Sequence, residues 1–185
     1  MKRLFTRGAT FKAGRQPVIF LLLISVFAGC SQGPNSKTGG PPATSPTPVS
    51  TSADVVKLRP ESISIPAGGD LDAKVLVSIS PGFHVNANPA TFPYLIATEL
   101  TTGKAEGIKV GVPVYPAAVK RKFQFEQQPL AVYEGDAPIN LGLRADKTAG
   151  AGSRSLPITL RVQACDEEKC YPPATLSSTI PVTVK

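Results

Sequence analysis

The chain has 185 residues and a formal net charge of +7, with 19 prolines, three cysteines and one histidine. So many prolines exclude an architecture of long helices, because proline removes a backbone donor and clashes with the preceding turn. Cys165, Cys170 and His84 fall one ligand short of a usual zinc site, so metal binding there is a minor alternative and we predict no cofactor.

Residues 1–29 have the composition of a signal peptide. They contain five basic residues and no acidic one, and their apolar run at 18–28 is too short to span a membrane. Val-Phe-Ala-Gly precedes Cys30 and resembles the lipobox of bacterial lipoproteins, in which the cysteine is acylated and becomes the new N-terminus. Phe27 departs from the usual Leu or Val. The alternative is an ordinary secretory signal with a chance cysteine, and both interpretations predict export.

The next segment, residues 30–53, is predicted to be a disordered linker that tethers a domain to the membrane. It is rich in Pro, Gly, Ser and Thr and shows no hydrophobic period. Ser31 directly after the acylated Cys30 favours anchoring in the outer membrane over the inner one, with the domain facing the periplasm. Without the signal peptide, 15 basic and 13 acidic residues leave a net charge of +2, which excludes nucleic-acid binding.

Residues 54–185 are predicted to form one all-β domain. Apolar and polar residues alternate along 71–79, which is the period of a half-buried strand. Other strands are predicted at 62–65, 94–100, 108–114, 130–133, 139–143, 156–164 and 180–184. Such short strands with turn residues between them predict an immunoglobulin-like β-sandwich. The absence of tryptophan and of a long-range cysteine pair speaks against an antibody-type domain.

The segment 163–173 reads Gln-Ala-Cys-Asp-Glu-Glu-Lys-Cys-Tyr-Pro-Pro and lies between the last two predicted strands. A short loop between antiparallel strands would bring the Cα atoms of Cys165 and Cys170 within the roughly 4.4–6.8 Å that a disulfide requires. Closing so short a loop would stabilise the fold by only roughly 2 kcal/mol. These residues leave two interpretations open. The disulfide is either a structural staple or a redox-active pair that another protein's thiolate can reach.

Several motifs together resemble a known family. In order they are Pro81-Gly-Phe-His-Val-Asn-Ala-Asn88, Tyr94-Leu-Ile-Ala-Thr98, Val114-Tyr-Pro116, Leu130-Ala-Val-Tyr-Glu-Gly135 and the cysteine segment 163–173. They resemble the N-terminal periplasmic domain of the thiol:disulfide interchange protein DsbD, here in a stand-alone lipoprotein form. The resemblance covers nearly all of the predicted domain, and the cysteine segment with its Tyr-Pro-Pro is its most specific part.

The resemblance implies an immunoglobulin-like domain whose cysteine pair passes reducing equivalents to exported partners. Cys165 and Cys170 match the redox pair, and Cys170 is the sulfur expected to be attacked first. The family also has a cap loop with an aromatic residue that shields the pair. Residues 122–127 lie where that loop should fall, so Phe123 or Phe125 is the candidate cap, and core packing is the alternative for either ring. The spacer between the cysteines is one residue shorter than in the best-known members.

The resemblance also implies partners. The chain stops at Lys185, before the membrane region and thioredoxin-like domain of DsbD, so we expect a separate thioredoxin-like or membrane electron-donor protein to reduce it. Oxidised exported proteins would be its acceptors. His84 and Asn86 belong to a motif that some members share, and a role near the disulfide competes with that of a hydrogen-bonded structural histidine.

Acidic residues dominate the spacer between the two cysteines. Asp166, Glu167 and Glu168 are offset only by Lys169, and negative neighbours disfavour a thiolate. The predicted function is therefore disulfide-reductase-type exchange by a pair that reacts slowly until a partner docks. The competing prediction is a lipid-anchored immunoglobulin-like binding or structural module with a merely structural disulfide.

Overall fold

The computed structural model of the protein describes residues 48–185. The proposed signal peptide, the acylation site Cys30 and most of the linker lie outside the described residues, so those assignments stay predictions. None of the helices in the described part is long and apolar enough to cross a membrane.

The described part is nearly all β, which confirms the predicted fold class. In chain order the elements are α1 (Ser52–Val55), β1 (Val56–Pro60), β2 (Ile63–Ile65), β3 (Asp70–Ile79), β4 (His84–Asn86), β5 (Glu99–Thr102), β6 (Ile108–Val110), β7 (Val119–Arg121), β8 (Leu130–Tyr133), β9 (Asp136–Ala145), β10 (Gly152–Val162), β11 (Ala164–Cys165) and β12 (Ala174–Val184).

The strands form an immunoglobulin-like sandwich of two four-stranded sheets, with a third, smaller sheet beside it. One large sheet has the order β1-β3-β9-β6 and the other has the order β2-β12-β10-β5. The third sheet, β11-β4-β8-β7, contains only strands of two to four residues. All pairings are antiparallel except that of β2 with β12, which is parallel.

The core lies between the two large sheets, because every second residue of their long strands points inward. The inward residues of β3 and β10 are Ala73, Val75, Val77, Ile79, Leu156, Ile158, Leu160 and Val162, all of them buried in one cluster with residues of β9 and β12. Each fully buried Leu or Ile contributes roughly 1.5–3 kcal/mol. This burial makes a rigid frame from which the cysteine segment extends.

Several details differ from the sequence predictions. The strand predicted at 94–100 is realised only as Glu99–Thr102, because residues 94–98 follow an irregular path over the third sheet. Leu71, predicted to face the core, is 40% exposed near the start of β3. The sequence predicts no strand at β1, β4 or β7, and it places Ala164 of β11 in the preceding strand. The strand predicted at 108–114 is present only as Ile108–Val110.

The folded part also begins earlier than the predicted boundary at residue 54. Thr51 caps α1 by accepting a hydrogen bond from the backbone of Ala53, and the Asp54 carboxylate accepts one from the backbone of Thr51 in return. Ser52 is fully buried. The polar composition places Thr51 and Ser52 in the predicted linker, but their side chains satisfy backbone groups of the domain.

Candidate functional site

Cys165 and Cys170 form a disulfide across the tip of a tight hairpin. The strands β10 and β12 pair up to Val162 and Ala174, and the chain between them folds back on itself. The backbone nitrogen of Tyr171 donates to the Ala164 carbonyl at 2.8 Å, and that of Asp166 donates to the Lys169 carbonyl at 2.9 Å. The two cysteines therefore face each other directly. Their Cα atoms lie 3.9 Å apart, closer than the expected range.

The two cysteines differ sharply in accessibility. Cys165 is 1% exposed, because it lies on β11 inside the third sheet, whereas Cys170 is exposed on the outer arm of the hairpin. Thiol–disulfide exchange requires that one sulfur be reachable by an attacking thiolate. Of the two cysteines, only Cys170 is exposed.

Asp166 organises the turn between the cysteines. Its Oδ1 atom accepts the backbone N–H groups of Glu168 and Lys169, both at 2.8 Å, and its Oδ2 atom accepts the Tyr171 hydroxyl at 2.7 Å. Burial by itself would raise the pKa of Asp166, but these hydrogen bonds outweigh it and hold the pKa below its ordinary value. A carboxylate is thus kept ionised next to the buried cysteine.

Tyr171 anchors the hairpin to the rest of the domain. Its ring is 9% exposed and lies 5.7 Å from the Phe83 ring, centroid to centroid. The ammonium group of Lys169 sits 5.3 Å from the centre of the Tyr171 ring, and the side-chain amide of Gln163 donates to the Tyr171 carbonyl. The residue after Cys170 is therefore held in place, although Cys170 itself is exposed.

Ser52 closes the base of the same hairpin from the N-terminal side. Its Oγ atom accepts the backbone N–H of Ala164 at 2.8 Å and donates to the Pro172 carbonyl at 2.8 Å. The backbone nitrogen of Ser52 also donates to that carbonyl at 3.1 Å. One buried serine thus connects both arms of the cysteine hairpin.

His84 is the cross-strand neighbour of Cys165. The residues face each other in the β4–β11 pair, so their side chains lie on the same face of the third sheet. His84 is 3% exposed, and its Nε2 atom is buried without a hydrogen-bond partner. Burial lowers the pKa of His84 below its ordinary value, although the charges of Glu134 and Asp166 act in the opposite direction.

The loop between β7 and β8 contains both candidate cap residues, and their surroundings differ. The Phe123 ring stacks on the His84 ring at 4.0 Å and is 3% exposed, within a small apolar cluster with Leu130 and Val132. Phe125 stacks on the outer side of Phe123 at 5.3 Å and is 42% exposed. The loop therefore adds two rings to that of His84, the cross-strand neighbour of Cys165, and completes a column of three aromatic rings with Phe125 outermost.

Polar contacts hold this loop in its position. The ammonium group of Lys122 donates to the carbonyls of Glu126 and Gln127. The carboxylate of Glu126 accepts the Tyr94 hydroxyl at 2.6 Å, which lowers the pKa of Glu126 and raises that of Tyr94. These bonds lie at the exposed surface, where each contributes little to stability. The buried Phe123 is the loop's main apolar anchor.

A shallow cleft of about 190 Å³ lies beside the hairpin, and its lining surface is mainly polar. His84 and Glu167 line it, together with the ion pair in which Arg121 donates to both carboxylate oxygens of Glu134 at 2.8 and 2.9 Å. Among residues 48–185 no group of three or more His, Cys, Asp or Glu side chains could hold a metal ion. The cysteines of the alternative metal set are bonded to each other.

The sequence did not identify three of the residues that shape this site. The composition around Ser52 predicts a linker, and Tyr171 stands out only as part of the cysteine motif. Asp166 is predicted only to add negative charge near the thiols. An Asp that begins a four-residue turn commonly bonds the backbone two residues on, so Asp166 could have been recognised. The partners of Ser52 lie 112 and 120 residues away, and no local pattern points to them.

Comparisons with known proteins agree with the resemblance. A family model described as "Thiol:disulfide interchange protein DsbD, N-terminal" matches residues 53–181. A search of curated proteins found no match.

Solved structures of low sequence identity are also similar. The DsbD N-terminal domain of Neisseria meningitidis in the reduced form is 19% identical over 62% of this chain and 79% of that chain, with a TM-score of 0.40. The complex between the DsbD N-terminal and PilB N-terminal domains of the same organism matches at 19% identity, over 68% of this chain and 80% of that one, with a TM-score of 0.42. The N-terminal periplasmic domain of ScsB from Proteus mirabilis is 12% identical over 68% of this chain and 44% of that one, with a TM-score of 0.43.

Proposed function

The chain belongs to the family of the N-terminal domain of the thiol:disulfide interchange protein DsbD, and from this premise we propose that it carries electrons by thiol–disulfide exchange at Cys165 and Cys170. The observation that carries the proposal is the asymmetry of the pair, with Cys170 exposed and Cys165 buried. A bond that closes a loop this short stabilises the fold little, whereas an exposed sulfur at a hairpin tip can be attacked.

The exchange has two balanced steps. In the reduced protein, the Cys170 thiolate attacks a sulfur of the acceptor's disulfide, forms a mixed disulfide and releases the acceptor's other sulfur as a thiolate. The Cys165 sulfur then attacks Cys170, forms the intramolecular bond and releases the acceptor's first sulfur. The acceptor gains two electrons and the domain loses two, and a dithiol donor reverses the sequence.

The partners follow from this chemistry. The donor must present a dithiol to an exposed sulfur on a hairpin, so we propose a thioredoxin-like or membrane electron-donor protein. The acceptors are oxidised exported proteins. We also propose export to the envelope with acylation at Cys30, which would tether the domain to a membrane that faces the periplasm, with the outer membrane favoured by Ser31.

The loop from Lys122 to Gln127 serves as the cap in this proposal. Phe125 is the outermost ring of the aromatic column beside Cys165, and Phe123 is the buried base on which it stacks. Docking of a partner would displace the exposed ring and leave the buried one in place. Between encounters the ring would screen the approach from the side of the buried Cys165 and leave Cys170 exposed, so exchange with small thiols would be slowed and not blocked.

The test uses two single-cysteine variants in cell extracts of the source organism. Cys165→Ala keeps the exposed Cys170 and should trap a mixed disulfide with a thioredoxin-like protein, seen as a band on non-reducing gels that reductant removes. Cys170→Ala keeps only the buried Cys165 and is the matched control, which should trap far less.

The alternative makes the opposite predictions. If the disulfide is a staple in a binding or structural module, neither variant traps a partner. The reduction potential of the bond then lies below about −300 mV. The double variant would then lose several kcal/mol of stability, in the range of about 2–5 kcal/mol that native disulfides contribute.

A further inference from the structure

Three side chains form a row across the strands at the site. His84 faces Cys165 in the β4–β11 pair, and Cys165 faces Cys170 across the hairpin. Side chains of directly opposite residues lie on one face with their Cβ atoms roughly 4.5–5.5 Å apart. His84 and Cys170 therefore flank Cys165 on opposite sides, with all three side chains on one face.

The second observation concerns the imidazole itself. His84 is 3% exposed, and its Nε2 atom has no hydrogen-bond partner in the described part of the chain. Leaving a buried polar atom unpaired costs roughly 1–3 kcal/mol, and such atoms are rare in folded proteins. A structural histidine would be expected to have both ring nitrogens satisfied or solvated. The unpaired nitrogen instead belongs to the residue directly opposite Cys165 and can accept a proton.

The exchange chemistry requires such a place. Cys165 must lose its proton before it can resolve a mixed disulfide, yet it is 1% exposed and adjacent to the carboxylate of Asp166. Burial and a neighbouring negative charge both disfavour the thiolate. A base beside the thiol removes this obstacle, as it does for other paired cysteine and histidine side chains.

We propose, on the premise of the exchange described above, that His84 accepts the thiol proton of Cys165 in the resolving step. The S–H bond of Cys165 breaks, the proton moves to the imidazole, and the sulfur's electron pair forms the bond to the sulfur of Cys170. The bond between Cys170 and the acceptor's sulfur breaks at the same time, and the acceptor leaves as a thiolate. In the reverse direction the imidazolium returns the proton to the departing Cys165.

The charges around His84 are consistent with this role. Glu134 at the end of β8 and Asp166 in the hairpin turn favour the imidazolium, and Arg121 on β7 opposes it. Glu167 lines the same cleft. Burial lowers the pKa of His84, so the ring is neutral near pH 7 and ready to accept a proton. The carboxylates can then stabilise the transient imidazolium.

The test separates the two exchange steps in one experiment. The full chain carrying Cys30→Ser has only Cys165 and Cys170 as thiols, so the reduced protein is mixed with a stoichiometric amount of the aromatic disulfide DTNB. Cys170 releases the first coloured thiolate by attack, and Cys165 releases the second by resolving the mixed disulfide. His84→Phe keeps a ring that can stack on Phe123 and removes the proton acceptor.

We expect the first release to be unchanged and the second to slow about 100-fold at neutral pH, the lower end of general-base contributions. The difference should shrink above about pH 8.5, where a thiol ionises without help. Cys165→Ser is the control for the first step and should release only one equivalent at the same rate. A second release that is equally fast in His84→Phe would overturn the inference, and so would one slowed by the same factor at every pH, since a distorted site would behave in that way.

Two further outcomes keep the test decisive. If His84→Phe and His84→Gln do not fold, the unmodified histidine is tested by its own pH profile, which should be flat between about pH 6.5 and 8.5. A tenfold rise per pH unit throughout that window would show that no base assists and would overturn the inference. If the reduced protein releases no coloured thiolate at all, the proposed exchange function itself is wrong. That outcome is distinct from the loss of the second release alone.

Discussion

Phe123 and Phe125 lie two positions apart in one loop but have different surroundings. The sequence allows either ring to be the cap or a core residue. The structure places Phe123 in an apolar cluster at 3% exposure and leaves Phe125 on the surface at 42%. A ring that stays half in solvent can be displaced by a partner at low cost, whereas a buried ring also stabilises the fold. At the scale of residues, burial thus distinguishes two nearby rings, and only Phe125 is free to serve the proposed cap role without unfolding cost.

We predict that Phe125→Ala speeds reduction of the disulfide by a small dithiol severalfold and changes the free energy of unfolding by less than about 1 kcal/mol. Phe123→Ala should cost roughly 3–5 kcal/mol, because it removes a buried ring. Leu71→Ala is the matched control, since Leu71 is 40% exposed and lies in another sheet. Reduction kinetics and urea unfolding measure the two effects, and an unchanged reduction rate in Phe125→Ala would contradict the cap role.

His84 also predicts how stability depends on pH. Its pKa is lower in the folded protein than the ordinary 6.5, so the folded state resists protonation. Stability should be constant above about pH 6.5 and fall as the pH drops toward the folded-state pKa, by at most about 1.4 kcal/mol per pH unit for one proton. It is the only histidine in the chain, and the lowered pKa values of Asp54, Asp166 and Glu126 act in a more acidic range.

Urea unfolding at several values between about pH 5 and 7 tests this prediction. His84→Gln removes the titrating group and should flatten the curve in that window. A variant that keeps the same slope would show that another group is responsible.

The cysteine hairpin and the short helix α1 depend on each other at the scale of elements. Ser52 bonds to Ala164 in one arm of the hairpin and to Pro172 in the other. The hairpin tip is tied by Asp166 and Tyr171, so both of its ends are held while Cys170 stays exposed. The N-terminal turn is therefore part of the scaffold of the site, although its composition resembles a linker.

We predict that a form starting at residue 48 keeps the stability of the mature protein, whereas one starting at residue 54 loses about 1–3 kcal/mol. The loss arises because the buried N–H of Ala164 is left without a partner. Ser52→Ala in the longer form should reproduce most of it and is the matched point variant. Urea unfolding of the three forms is the measurement, and equal stability of the two truncations would show that α1 contributes nothing.

The whole molecule combines a rigid sandwich with a site at one end of its longest strand pair. The eleven-residue strands β10 and β12 pair along their entire length and carry the cysteine hairpin beyond the core. The third sheet covers the inner side of that hairpin, because β11 pairs with β4. Because Ser52 contacts the base of the hairpin, the chain from the proposed lipid anchor enters the domain next to its site.

At this scale we predict that the exported protein is acylated at Cys30 and that Cys30→Ser abolishes its membrane association. The folded domain should be intact in the variant, because residues 48–185 do not include the anchor. Partitioning between detergent and aqueous phases measures the effect, with circular dichroism as the control for folding. A variant that still enters the detergent phase would contradict acylation at this residue.

Several features were determined by the sequence alone, because they depend on local periodicity and on a specific motif. The alternation of apolar residues along 71–79 and 156–164 predicted two long strands, and both are present as β3 and β10. The predicted strand at 130–133 agrees with β8. The motif around Cys165 and Cys170 indicated the family, and the family model confirms it.

Other features were decided only by tertiary structure, because they join residues that are far apart in the chain. The burial of Cys165 depends on β4, 81 positions earlier, and β4 has only three residues with no readable period. The stacking of Phe123 on His84 and the bonds of Ser52 to the hairpin are equally long-range. Local patterns indicate which face of a strand is apolar, but sheet order and packing determine which partner covers that face.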